Sequence, residues 1–244
     1  MDLTTSPNSN GNSTTDKVII IIPYRNRETH LKYFLEKSYP LLKTVLSNLE
    51  IIIVEQSDDT QLFNRGKLLN IGYHYYDRED FVYFNHDVDV NPIGSITLAK
   101  YAEPIGLTEI QGLYTSVCDT LGGIIKFRGH IFKKINGFPN DYFGWGCEDK
   151  ALKNRADFYG VNIKRFITNK DPHRNQYFTV FDQHDRIPNN FFSLLTDTNY
   201  NKFKLLDKTK QEQTILSSGL NTLTYKIIKT EKLEENVIKI TVSI

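Results

Sequence analysis

A run of five aliphatic residues, Val18-Ile19-Ile20-Ile21-Ile22, closed by Pro23, constrains the fold of this chain more than any other feature. β-Branched side chains at consecutive positions suit a strand buried on both faces, and such a strand needs helices packed on either side of its sheet. Two further runs fit the same role, Ile51-Ile52-Ile53-Val54 and Phe81-Val82-Tyr83-Phe84. Between the runs, Glu28 to Leu49 places apolar residues near helical spacing, with Pro40 expected to kink or split the helix. Lys67 to Tyr75 also reads as helical. Strand, helix, strand, helix, strand is the pattern of an α/β fold with a mainly parallel central sheet and right-handed crossovers. The run Val237–Val242 predicts a last strand rather than a second domain, so residues 17–244 are expected to form a single domain. Met1 to Asp16, rich in Ser, Thr and Asn and without periodicity, is expected to be a disordered tail.

A net charge of +1, from 30 basic and 29 acidic residues, leaves no cationic excess for neutralising a phosphate backbone, which argues against a nucleic-acid partner. The longest aliphatic run is far short of the ~20 residues that span a bilayer, and residues 1–16 lack the apolar stretch of a secretory signal. Two cysteines, Cys118 and Cys147, are too few for a disulfide scaffold. These features predict a soluble, cytoplasmic protein with no transmembrane segment. Neither G-x-G-x-x-G nor G-x-x-x-x-G-K-[ST] occurs, so dinucleotide and P-loop readings lack support.

In open α/β sheets, ligands bind beyond the carboxyl ends of the strands. The polar residues after each predicted strand are therefore the candidates: Pro23-Tyr24-Arg25-Asn26-Arg27, Glu55-Gln56-Ser57-Asp58 and Asp87-Val88-Asp89. In the last, two carboxylates one residue apart can approach a divalent cation or a ribose from one side, and hard oxygen ligands suit Mg²⁺ or Mn²⁺. A solvated acidic turn is the plainer alternative. Arg25, Arg27, Arg65 and Lys67 flank strands or open helices, where their side chains suit phosphate or uracil contacts, or are simply surface cations. Gly122-Gly123 suits either close approach of backbone to a ligand or an ordinary turn.

The densest segment runs from Asn136 to Asp149, with the only tryptophan, Trp145, several aromatics and the carboxylate pair Glu148-Asp149 leading into a helix. Sugar rings stack on aromatics while their hydroxyls bond carboxylates, and a carboxylate that takes a hydroxyl proton is a general base. The alternative is a structural aromatic corner.

These blocks together resemble the β-1,4-galactosyltransferase family, including its xylosylprotein-galactosyltransferase branch. They are Ile21-Ile22-Pro23-Tyr24-Arg25-Asn26-Arg27, Phe63-Asn64-Arg65-Gly66-Lys67, Asp87-Val88-Asp89, Gly122-Gly123, and Ile135-Asn136-Gly137-Phe138-Pro139 leading into Phe143-Gly144-Trp145-Gly146-Cys147-Glu148-Asp149. A tail block, Gly219-Leu220-Asn221-Thr222-Leu223-Thr224-Tyr225, follows in the same order. The resemblance implies a nucleotide-sugar-binding GT-A-like fold and an inverting transfer of galactose from UDP-galactose to a sugar hydroxyl, with Mn²⁺ as cofactor. It also implies roles. Pro23, Arg25 and Arg27 would line the uridine pocket with Arg65 nearby, and Asp87 and Val88 would sit by the nucleotide. Asp89 and a downstream histidine would ligate the metal, with His184 favoured over His173. Gly123 and Glu148 would contact the donor sugar, Trp145 would stand between donor and acceptor, and Asp149 would be the base.

The chain departs from the family pattern at several places. Lys150 stands where a further aspartate, an acceptor contact in the animal enzymes, is usual, and Cys147 replaces a glycine or arginine. Thr120 stands where galactose-specific animal members carry a tyrosine that crowds the sugar 2-position, so N-acetylgalactosamine is the alternative donor. The membrane anchor and paired cysteines of Golgi members are missing, as expected of a bacterial or viral-type relative working in a cytosol. Two readings from other classes are a metal-dependent nucleotide-sugar phosphohydrolase using Asp87, Asp89 and His184, and a carbohydrate-binding module without activity.

Overall fold

Alternate residues of the first aliphatic run face opposite ways, and each set meets its own helical layer. Ile20 and Ile22 pack with Phe34, Tyr39, Leu42 and Tyr101. Ile19 and Ile21 pack with Leu68, Leu69, Ile71, Phe132 and Leu152. The computed structural model describes residues 16–58, 60–116, 120–181, 197–203 and 211–244. The strands are β1 (Val18–Tyr24), β2 (Leu49–Gln56), β3 (Val82–His86), β4 (Val90–Pro92), β5 (Glu109–Thr115), β6 (Ile124–Arg128), β7 (Asn162–Thr168), β8 (Phe178–Val180), β9 (Lys226–Glu234) and β10 (Val237–Ser243). Eight of them form one sheet in the order β7-β5-β6-β3-β1-β2-β10-β9, and β4 pairs with β8 in a small second sheet. The pairs β1–β2, β1–β3, β2–β10 and β5–β7 are parallel. The sheet turns antiparallel at β6, inserted between β3 and β5, and at the β9–β10 hairpin. The last strand thus joins the main sheet beside β2, as its β-rich pattern predicts.

The stretch expected to be one helix, Glu28 to Leu49, has a different course. It forms α1 (Glu28–Tyr33), a π-helical turn (Phe34–Ser38) and α2 (Tyr39–Val45), and Leu49 already begins β2. Pro40 has no N–H to donate and its ring would crowd the carbonyl four residues back, so the wider π turn before it absorbs the conflict without a break. The helix expected over Lys67–Tyr75 is α3 (Arg65–Tyr76), capped by the Asn64 side chain, which accepts from the Lys67 N–H at 2.9 Å. The remaining helices of this argument are α4 (Gly94–Ala102), α5 (Gly129–Lys134) and α6 (Glu148–Phe158). Asp16, read as part of the tail, is ion-paired with Arg128 at 2.8 Å; residues 1–15 lie outside the described residues.

Pro23 is tolerated in a central strand for a local reason. The β1–β3 ladder ends at Ile21 and Asn85, so the proline lies beyond it, where β1 continues against β2 alone. The gap so opened at the carboxyl end of the sheet is where the polar residues converge.

Candidate active site

The carboxyl edge of the sheet opens into a cleft of about 910 Å³. Pro23, Arg25 and Arg27 reach it from the end of β1, Phe63 and Arg65 from the β2–α3 connection, and Asp87, Val88 and Asp89 from the end of β3. Thr120, Gly122 and Gly123 enter ahead of β6, and Trp145, Glu148 and Asp149 enter ahead of and within α6. β6 runs antiparallel to β3, so the loop before it arrives at the same edge that β3 leaves.

Arg65 connects these segments. Its Nε donates to Asp87 Oδ1 at 2.7 Å, one terminal nitrogen lies 3.7 Å from Glu148 Oε1, and the other donates to the Gly123 carbonyl at 3.4 Å. Burial works against its charge, but Asp87 and Glu148 outweigh burial and hold its pKa above the ordinary value. Its Nη1, the nitrogen that faces Glu148 at 3.7 Å, is buried and makes no hydrogen bond among the described residues. Arg25 donates to the Gln61 carbonyl at 2.8 Å and lies over the Phe63 ring.

The glycine pair fixes the distance between the two acidic turns. A Cβ on Gly122 would lie 2.9 Å from Asp149 Oδ2. Gly123 has φ +76°, and a Cβ there would lie 2.3 Å from the Tyr114 carbonyl oxygen, so no other residue fits. The Gly123 carbonyl accepts from the Asp87 N–H at 3.3 Å, and the Leu121 N–H donates to the Asp149 carbonyl at 3.2 Å. Chain direction into α6 is set by Gly144, Gly146 and Cys147, all at positive φ; Cys147 holds +70° despite its side chain. The buried Asn199 secures this turn by donating to the Phe143 and Trp145 carbonyls, each at 3.1 Å.

Four carboxylates in one cleft repel each other. Burial, then Asp87, pushes the Asp89 carboxyl up to about 7, restrained by its own backbone N–H and by Arg27 and Arg65. Burial, then Asp149, pushes Glu148 up to about 7, with Arg65 opposing. Asp149 is raised by burial, against Arg65 and the Lys150 N–H, which donates to its Oδ1 at 2.8 Å. A buried carboxylate that resists ionising beside another carboxylate, with no fixed cation bonded to it, is a hard donor that a divalent ion would satisfy. Asp89 therefore fits a metal ligand, although the described residues contain no group of three or more His, Cys, Asp or Glu side chains placed to hold one ion together.

Residues 6–99 match the family described as the N-terminal region of glycosyl transferase group 7, and residues 111–182 match the N-terminal domain of galactosyltransferase. The chain is 34% identical to human beta-1,4-galactosyltransferase 1 over 224 residues, covering 88% of this chain and 52% of that protein. It is 31% identical to human beta-1,4-galactosyltransferase 4, covering 88% of this chain and 60% of that one. The chain belongs to the β-1,4-galactosyltransferase family. It spans between half and two thirds of the length of these relatives. The catalytic domain of Drosophila beta1,4galactosyltransferase 7 in complex with xylobiose matches with a TM-score of 0.71 at 22% identity, over 93% of this chain and 94% of that one. A mutant of that enzyme in complex with manganese, UDP-Gal and xylobiose gives 0.70 at the same identity and coverage. These neighbours establish the GT-A α/β fold for this family member.

Every residue given a role by the family resemblance lines this galactosyltransferase-family cleft except the metal-ligand histidine: His184 lies outside the described residues. Of the candidates named only by position, Tyr24, Asn26, Glu55-Gln56-Ser57-Asp58 and Lys67 do not line it. His173 is exposed, is absent from the lining, and faces Gln176 at 3.3 Å. The Gly219–Thr222 tail block is not on the cleft at all but buttresses it from behind. Asn140 donates to the Gly219 carbonyl at 2.7 Å and accepts from Asn70 at 2.9 Å, and Arg155 of α6 donates to the Asn136, Gly137 and Ser218 carbonyls. Sequence reading missed this asparagine–arginine network, as well as Asn169, Arg174, Asn175 and Tyr200 on the cleft wall.

Proposed function

We propose that the cleft transfers galactose from UDP-galactose to a hydroxyl of a sugar acceptor, with inversion at the anomeric carbon. The observation that supports this most is the pairing of both Asp87 and Glu148 with Arg65, with Asp149 packed against Gly122 beside them, at the carboxyl edge of a GT-A sheet. Arg25 and Arg27 would hold the uridine and Arg65 the diphosphate, with a guanidinium whose charge Asp87 and Glu148 also share. Glu148 and the Gly123 backbone would orient the galactose. Asp149 would take the proton from the acceptor hydroxyl as its oxygen bonds the anomeric carbon and the bond to UDP breaks. A carboxyl raised by burial is better matched to that work near neutral pH than an exposed aspartate.

Asp89 and His184 would hold Mn²⁺. The chain reaches His184 three residues after Phe181, whose N–H donates to the Asp89 carbonyl at 2.9 Å, whereas His173 lies off the cleft. When bound, the ion would supply charge neutralisation for the departing diphosphate. A cytosolic site of action is part of the reading, inferred from a composition of two cysteines, of which Cys147 is a buried free thiol. Among the described residues no helix is long and apolar enough to cross a membrane.

The test is product formation from UDP-galactose and Mn²⁺ across a panel of sugar acceptors. Acceptor-dependent galactoside supports the transferase. UDP-galactose cleavage that no acceptor affects would indicate the phosphohydrolase, and tight sugar binding without turnover would indicate the binding module.

A second donor is favoured by one observation. Thr120 is a cleft residue with a short side chain, and of the two neighbours able to refill its space only Tyr114 lines the cleft, since Leu121 is buried in the opposite core. Tyr114 is itself held edge-on against Phe178 at 5.2 Å. UDP-N-acetylgalactosamine should therefore be accepted, and Thr120→Tyr should reduce its kcat/KM relative to UDP-galactose by tenfold or more. Wild-type rejection by more than about a thousandfold, roughly 4 kcal/mol, would rule the second donor out.

A further inference from the structure

One buried histidine stands directly behind the acidic turn and has no part in the chemistry assigned so far. His86 closes β3 one residue before Asp87, is fully buried and does not line the cleft. Its Nδ1 lies 2.9 Å from the Asp87 carbonyl oxygen, and its Nε2 lies 2.9 Å from the Tyr101 hydroxyl of α4. A carbonyl oxygen can only accept, so Nδ1 carries the proton. Burial pushes the pKa of the ring down to about 4, so the imidazole is neutral and its Nε2 accepts from the Tyr101 hydroxyl. Tyr101 thereby fixes the tautomer and orientation of the ring. An apolar residue would fill this core position without burying two ring nitrogens, a cost that only their two hydrogen bonds offset.

The hydrogen bond from His86 falls on the backbone of the turn that carries Asp87 and Asp89. The Val90 N–H donates to the same Asp87 carbonyl at 3.3 Å and closes the turn over Val88 and Asp89. The Asp87 N–H donates to Gly123, and the Asp89 carbonyl accepts from Phe181. Among the described residues, His86 supplies the one side chain bonded to the backbone of residues 87–89. The helical layer behind converges on the same point. Phe34, the first residue of the π turn, meets the His86 ring edge-on at 5.2 Å. Ser38, the last residue of that turn, donates to Asn91 Oδ1 at 2.6 Å, just beyond the acidic turn. The Tyr101 ring stacks on Phe84 of β3 at 5.2 Å. Single π turns recur at functional sites, and this one braces the acidic turn at the residues before and after it.

We propose that His86 is a positioning residue: held by Tyr101 as the Nδ1–H tautomer, it fixes the Asp87 carbonyl and with it the direction of the Asp87 and Asp89 carboxylates. The proposal rests on the transferase reading for what those carboxylates bind, and adds the group that orients them. Two variants of similar size test it. His86→Asn keeps an N–H donor near the place of Nδ1, His86→Leu puts a methyl group there, and both lose the bond to Tyr101. In calorimetric titration, His86→Leu should weaken Mn²⁺–UDP binding by about fivefold or more, the size of one net hydrogen bond, while His86→Asn stays within about twofold of wild type. The KM for UDP-galactose should rise with that Kd, and the acceptor KM should not. A variant that is only less folded has fewer working molecules, which lowers kcat and leaves Kd and KM unchanged. Nitrogen-15 spectra of histidine-labelled protein at neutral pH provide a reading without metal, donor or turnover: the ring signals lost in His86→Asn should be those of an Nδ1–H tautomer. An Nε2–H tautomer, or equal Mn²⁺–UDP affinity in the two variants, overturns the proposal. If His86→Leu does not fold, Tyr101→Phe takes its place, with an expected weakening of about threefold; unchanged affinity there overturns the proposal too. Wild type that binds Mn²⁺ and UDP but forms no galactoside overturns the transferase reading alone, and wild type that binds neither overturns both.

Discussion

At the β1–β3 end of the cleft, the Arg65 side chain is 13% exposed and engages Asp87, Glu148 and the Gly123 carbonyl together, whereas the open part of the lining has Trp145 49% exposed, with Asn169, Asn175 and Tyr200 facing solvent. The first end is held by charge pairs in a nearly closed setting. The second is held by backbone tethers, such as those from Asn199 to the Phe143 and Trp145 carbonyls, with its side chains left open. Under the proposed transfer the difference fits two tasks, holding a charged donor against fixed charges and admitting an acceptor from solvent before both are aligned for displacement.

The comparison breaks if both ends respond alike to truncation. Arg65→Met should have the largest effect, because it leaves Asp87 and Glu148 without their shared cation. A loss of about 3 kcal/mol of stability is expected on urea unfolding, with UDP binding abolished in calorimetric titration. A variant as stable as wild type would mean that the donor end is not held by this pairing.

A pH measurement sharpens the same contrast. Glu148 titrates at about 7 in the folded chain against about 4.3 unfolded. Its proton is bound more tightly in the fold, so its contribution to stability is fully present below about pH 4.3 and is lost as pH rises through 7. Metal- and nucleotide-free protein should therefore lose on the order of 2 kcal/mol from this group between pH 5 and 8. Asp89 acts in the same direction, and Glu148→Gln should remove the Glu148 share. A slope identical in the variant would contradict the assignment. Trp145→Ala should have the smallest effect on the fold, within about 0.5 kcal/mol, while raising the acceptor KM about fivefold and leaving the UDP-galactose KM within twofold. A stability loss like that of Arg65→Met would erase the distinction between the ends.

Much of the Arg65 end was legible in the sequence because its residues follow uninterrupted apolar runs: Pro23 directly after the β-branched Val18–Ile22, and Asp87 three residues after the aromatic-rich Phe81–Phe84. Strands β5, β6 and β7 offer no such run. Lys126 interrupts Ile124–Arg128 and is accommodated in the core by donating to the Tyr101 carbonyl at 2.9 Å, so the antiparallel insertion of β6 left no pattern to read. The supporting network was equally silent. Asn70 meets Phe138 and Asn140, and Arg155 meets Ser218, across separations of more than sixty residues, and isolated polar residues have no periodicity that announces a distant partner. Arg174 and Tyr200 were missed for the same reason, since they reach the wall from segments beyond β7 that carry no motif.

The measurement that bears most directly on the account is the turnover of Asp149→Asn with UDP-galactose, Mn²⁺ and an acceptor that wild type uses. The substitution keeps the side-chain shape against Gly122 but removes the group that would take the acceptor proton. The account predicts a kcat lower by roughly 10²–10⁴-fold, with the UDP-galactose KM within threefold of wild type and the fold intact. Turnover within tenfold of wild type would contradict it, since the cleft would then have to work without Asp149 as its base.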